Sequence, residues 1–116
     1  MPVRRRTVGN VVVLDLQGNF FGDQETDELQ TAIMNEANAG NARMVLNLAE
    51  CHALNSMSIG VLMRGIANYR SRGGEIKLCA LSKRIKDLFA MIGIGLVFDR
   101  RETEEEAIAS FVVEAK

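Results

Sequence analysis

The sequence predicts an α/β fold, a mixed and mainly parallel β-sheet with about four helices packed against it. Three observations carry that expectation. Extended, β-branched runs alternate with helical patterns after an opening hairpin, which requires crossover connections. The run "RMVLNLA" (43–49) is apolar on both faces apart from Asn47, as suits a central strand covered by helices on at least one side. Apolar stripes at helical spacing follow capping residues and stop at glycines.

The elements follow in order. Valine-rich sequence from Val3 to Leu16 is cut by Gly9-Asn10 into "VRRRTV" and "VVVLDLQG", which reads as a hairpin. "NFFGD" reads as a loop. Asp23 then stands where it can cap a helix carrying Leu29, Ala32, Ile33 and Ala37, ended by Gly40. After the strand at 43–49, a helix is expected to begin within "HALNSMSIGVL" (52–62). It places Ile59, Leu62, Met63, Ile66 and Tyr69 on its buried stripe, with Arg64, Arg70 and Arg72 outside, and "RGG" stops it. "EIKLCAL" (75–81) is a further strand, and Ser82 caps a helix with Ile85, Leu88, Phe89 and Ile92 at helical intervals. "LVF" (96–98) is expected to form the last strand. Thr103 and Glu106 make a capping box for a final helix carrying Ala107, Ile108, Phe111 and Val112, and Glu104-Glu105-Glu106 suits the positive end of its dipole.

Composition bounds the function classes. The 116 residues suffice for one domain, spanning 1–116, with a real core. A net charge of −1 with 25% charged and 47% hydrophobic residues is that of a soluble globular protein, and no nucleic-acid partner is expected. Arg4-Arg5-Arg6 has no interleaved aromatics and reads as the solvated face of an edge strand. No stretch approaches the ~18 apolar residues of a membrane span, and "MPVRRRTVGN" lacks the apolar centre of a secretory signal. No membrane insertion and a cytoplasmic location are therefore expected. Cys51 and Cys79 are too few and too widely spaced for a zinc site and read as small core residues. With one histidine and none of the common metal, phosphate-loop or nucleophile motifs, the chain is expected to be no enzyme and to need no cofactor or metal. A hydrolytic pair of Ser56 and His52, oriented by Asp15 or Asp99, has no supporting spacing.

The serines of "HALNSMSIGVL" hold more interest. A hydroxyl at a helix start lies among unpaired amides, so Ser56 or Ser58 either caps the helix, worth about 1 kcal/mol, or accepts a phosphate that the helix dipole tolerates.

Taken in order, strand, serine loop, helix, "GG" turn, strand and "S…LF…G" helix over residues 43–94 resemble the STAS domain of the bacterial anti-sigma factor antagonist family. The resemblance runs over nearly the whole chain. It implies the STAS fold and a non-enzymatic regulatory binding module in which Ser56 is the phosphoacceptor, with Ser58 a second candidate. An anti-sigma factor serine kinase would phosphorylate it with ATP, a protein phosphatase would restore it, and the unphosphorylated form would bind the anti-sigma factor and free the sigma factor. The implied partner surface is Asn55, Ser56, Met57, Ser58 and Ile59, with Phe20, Phe21 and Asp23 from the preceding loop. Two adjacent phenylalanines cannot both point inward along a regular strand, so either one is an exposed anchor or both fold into a bent loop. The sequence departs from the family where Asn55 replaces an aspartate, Met57 a hydroxyl residue and Ser58 a glycine. The alternative is a STAS scaffold that is never phosphorylated, in a signalling assembly or a lipid transport complex.

Overall fold

Strand and helix alternate as β1 (Val3–Val8), β2 (Val11–Phe20), α1 (Gln24–Asn38), β3 (Arg43–Leu54), α2 (Ser56–Ser71), β4 (Glu75–Cys79), α3 (Lys83–Met91), β5 (Asp99–Arg101) and α4 (Glu104–Glu114). The computed structural model describes residues 2–94 and 98–114, the last three by backbone alone. The sheet order is β1-β2-β3-β4-β5; β1 pairs antiparallel with β2 and the remaining pairs are parallel.

Because β2 to β5 add in one direction, right-handed crossovers send α1, α2 and α3 to the same face. The packing agrees. Val12, Leu14 and Leu16 of β2, Met44, Leu46 and Leu48 of β3, and Ile76 and Leu78 of β4 form one core with Leu29, Ile33, Leu62, Ile66, Ile85 and Phe89 of those helices. Phe98 closes its edge, stacked on Phe89 with ring centroids 4.8 Å apart. The alternate residues Val11, Val13, Val45 and Cys79 face the other way and are covered by Ala107 and Phe111 of α4. Each buried aliphatic side chain contributes roughly 1.5–3 kcal/mol, so both layers are needed.

The α4 face is fastened by charge. Arg6 makes two hydrogen bonds to Asp15, at 2.7 and 2.8 Å, and reaches Glu104 at the start of α4 at 2.6 Å. Asn47 donates to the same Glu104 carboxylate at 3.0 Å. Lys77 is fully buried on this face, 3.0 Å from Asp99 and 4.8 Å from the Phe111 ring centroid. The arginine triplet is therefore not simply solvated, since Arg5 also pairs with Glu36 of α1 at 2.8 Å.

The structure corrects several expectations. β2 runs on through Asn19 and Phe20, which shortens the loop to the three residues Phe21-Gly22-Asp23. β3 continues five residues past Ala49 to Leu54, because two register shifts against β2 let it keep pairing after the regular alternation breaks. β4 ends at Cys79, where Ala80 turns into the left-handed region with φ 59°. The last strand is at 99–101; residues 96 and 97 lie outside the described residues, and Phe98 precedes the strand. On α2 Met63 is exposed, and Val61 and Gly65 take the buried places. Ile92 follows α3 and is exposed, whereas the side chain of Val112 lies outside the described residues.

Two stability measurements test this architecture. A Cβ on Gly74 would sit 2.7 Å from the carbonyl oxygen of Ala42, a backbone atom that cannot swing away. Gly74→Ala is expected to lower stability in urea by about 1–3 kcal/mol, and a change under about 0.5 kcal/mol would show that the turn has room. The second concerns acid. Hydrogen bonds from Arg5 hold Glu36 below the ordinary carboxylate range, and those from Arg6 do the same for Glu104. Burial pushes Asp99 up, but Arg101 and Lys77 together bring it below its ordinary value. Each carboxyl thus titrates lower folded than unfolded, so its contribution is whole above the ordinary range and lost as pH falls through the folded values. The urea midpoint should be level from about pH 7 to 5.5 and fall steadily below about pH 4, and a level midpoint down to about pH 2.5 would contradict the network.

Candidate functional site

The carboxyl end of β3 delivers the chain directly into α2. Asn55, at φ −124° and ψ −176°, is still extended when the helix begins, so its side chain can turn back over the first amides. Its Oδ1 accepts from the N–H groups of Met57 and Ser58, both at 3.1 Å. Ser58 closes the box from the other side: its hydroxyl accepts from the Asn55 N–H at 2.9 Å and donates to the Asn55 carbonyl at 3.0 Å. The cap is thus Asn55 supported by Ser58, where the sequence pointed to a serine.

That arrangement separates the two serines. Ser58 is fully buried and its hydroxyl is committed to the cap, which leaves it unsuited to accept a phosphate in the folded protein. Ser56 is exposed in the first turn, and its hydroxyl makes no hydrogen bond among the described residues. The turn contains no acidic residue, so the positive end of the helix dipole is not already balanced there.

The loop between β2 and α1 lies beside this turn. Gly22, at φ +87°, packs so closely that a Cβ on it would stand 2.7 Å from Sδ of Met57. Phe21, next to it, is 51% exposed, and Met57 is 61% exposed. Phe20 points the other way and is fully buried in the core, as Ile59 nearly is, so neither can contact a partner without the core opening. Asp23 precedes α1 and is exposed, but its side chain makes no bond to the helix amides; Thr26 instead accepts from the Gly22 N–H at 2.8 Å. The structure therefore gathers Asn55, Ser56, Met57 and Ser58 with the Phe21 loop, and turns Phe20 and Ile59 inside.

An open groove beyond β3, lined by Ala53, Leu54, Arg84, Leu88 and Met91, was not anticipated. Its sequence signal was Met91, an apolar residue off the stripe of Ile85, Leu88, Phe89 and Ile92; it is 79% exposed. His52 is an exposed residue of β3. Asp15 is bound to Arg6, and Asp99 to Lys77 and Arg101, so neither proposed acid is aimed at it. Burial pushes the Cys51 thiol up to about 11 and the Cys79 thiol up to about 12, so both stay protonated near neutral pH. No described helix is long and apolar enough to cross a membrane.

The model of the STAS domain family matches residues 3–107. This chain belongs to the STAS domain family. A curated relative, BtrV of Bordetella bronchiseptica, bears the name of an anti-sigma factor antagonist; it is 23% identical over 111 residues, 96% of this chain and 95% of its own. Among solved structures, a Thermotoga maritima protein similarly described superposes with a TM-score of 0.85 at 18% identity, covering 93% of this STAS chain and 92% of its own. The Bacillus cell fate determinant SpoIIAA in its phosphorylated form superposes with a TM-score of 0.74 at 19% identity, covering 94% and 98%.

The cap of this STAS domain is directly testable. Asn55→Ala should cost about 1 kcal/mol in urea unfolding, while Asn55→Asp, which keeps the acceptor oxygen, should cost less than half of that. Equal losses for the two variants would mean that the side-chain acceptor is not what starts α2.

Proposed function

We propose that this STAS protein is an anti-sigma factor antagonist, a binding module without catalytic chemistry of its own, gated by phosphorylation of Ser56. The observation that carries this reading is the division of labour at the start of α2. Asn55 and Ser58 satisfy the first amides, so the Ser56 hydroxyl is exposed and not needed to hold the helix. It can be modified and restored without unfolding anything. The name of BtrV and the phosphorylated form of SpoIIAA support the same reading.

The partners are an anti-sigma factor serine kinase and a protein phosphatase. In the forward step Ser56 Oγ bonds to the terminal phosphorus of ATP, the bond from that phosphorus to the bridging oxygen breaks, ADP leaves, and the hydroxyl proton passes to a base on the kinase. In the reverse step water displaces the serine oxygen and releases inorganic phosphate. Unmodified, the Ser56 turn with Met57 and Phe21 forms the docking surface for the anti-sigma factor, and its occupation frees the sigma factor. A phosphate adds about −1.5 to −2 charges at the centre of that surface, enough to drive off a partner that packs closely there.

A second reading has its own observation. Asn55 is uncharged, and Met57 and Phe21 give the rim an apolar character, which suits a scaffold bound constantly to one partner and never phosphorylated. Incubation with the cognate kinase and ATP, followed by intact mass measurement, separates the two. The switch requires the gain of one phosphate by the unaltered chain and none by Ser56→Ala; no gain beside a kinase active on a control substrate leaves the scaffold.

A further inference from the structure

Helix α2 carries a glycine, Gly60, in its interior, where glycine costs about 1 kcal/mol relative to alanine. The side chain of the next turn lies over it. A Cβ on Gly60 would stand 3.2 Å from Nη1 of Arg64, tighter than such contacts ordinarily are, because the Arg64 side chain lies back along the helix and over this spot. That is the direction in which long helical side chains lean. Arg64 is exposed and has neither an ion pair nor a hydrogen bond among the described residues. Its neighbours on α1, Gln30 and Met34, are uncharged.

Ser56 stands one turn before Gly60, and side chains four residues apart on a helix have their Cβ atoms about 5–6 Å apart. The guanidinium over Gly60 thus already stands about midway along the helix between Arg64 and Ser56. A phosphate on Ser56 extends toward it by three bonds and offers three acceptor oxygens. We infer that Arg64 is the cation that receives a phosphate on Ser56, with its side chain laid across Gly60. The inference rests on the reading of Ser56 as the phosphoacceptor and adds the residue that answers it. The modified surface then changes at two places, because an anion appears at the first turn and the cation two turns on is drawn toward it and neutralised. A partner that reads Arg64 with a carboxylate loses that contact in the same event.

The test places phosphoserine at position 56 during translation, so no kinase is needed, and follows the second ionisation of the phosphate by phosphorus NMR. A nearby cation favours the dianion, so the unaltered phosphoprotein should titrate roughly 0.3–0.7 pH unit below the Arg64→Gln phosphoprotein, a difference that shrinks in high salt. Arg64→Lys should retain most of the difference, and Gly60→Ala, which puts a methyl group under the guanidinium, should titrate between the two. Asp23 and Glu25 at the start of α1, and Arg84 and Asp87 on α3, act on the phosphate in every variant and cancel in the comparison. Identical titration of the unaltered and Arg64→Gln phosphoproteins overturns the pairing. A low titration in a protein that its kinase never modifies would sustain the pairing and remove the proposed switch instead.

Discussion

Everything in this molecule depends on the need to cover β2 and β3 on both faces. Val11 to Leu14 are all buried, as are Met44, Val45 and Leu46, so the first half of neither strand has a side that water can face. Crossovers of one hand place three helices on one side only. α4 must supply the other layer, and it is short. The charges at its start compensate for its modest apolar area: Arg6, reaching from β1 to both Asp15 and Glu104, joins the first strand, the second strand and the last helix in one set of hydrogen bonds. Breaking a partly buried pair of this kind leaves a charge without a partner, which costs far more than its formation gains.

The same arrangement decides where function is located. Parallel strands deliver their chain at the carboxyl edge, where the helices of the crossover layer begin, and loops at that edge are free of packing duties. β3 overshoots β4, which stops at its pairing with Asn47, and carries α2's first turn clear of the sheet. The β2–α1 loop rises beside it because β2 keeps pairing with β3 up to Phe20 and Leu54. A turn held at the tip of a two-stranded extension is accessible to a macromolecule and still tied by its own capping bonds.

Much of this was legible in the residues. The alternation of strand and helix, the hairpin at Gly9-Asn10, the mixed sheet and the helix start at 52–62 all follow from local patterns that tertiary packing does not override. The far half of β3 was not. Its buried residues Leu48, Cys51 and Leu54 are three apart, which is neither strand nor helix period, and only the two register shifts against β2 explain that spacing. The phenylalanine pair told that both could not point inward along a strand, but which of them turns out is fixed by β2 ending at Phe20. The serines were visible as candidates, whereas their division was not, because Asn and Ser are both good caps and only the extended backbone at Asn55 decides between them. Arg64 was read as an outward charge; its course over Gly60 depends on a rotamer that no spacing reveals.

The reciprocal bonds of Asn55 and Ser58 also bear on how such a protein can change over generations. An amide and a carboxylate both present an acceptor oxygen to the same two N–H groups, so the cap survives exchange of one for the other while the charge beside Ser56 does not. Substitution at 55 can therefore retune which enzyme recognises the neighbouring hydroxyl at little cost to folding. Loss or gain of the hydroxyl at 56 is equally free of a folding penalty. Descendants of one scaffold can then drift between constant binding and switched binding by single residues, without passing through an unfolded ancestor.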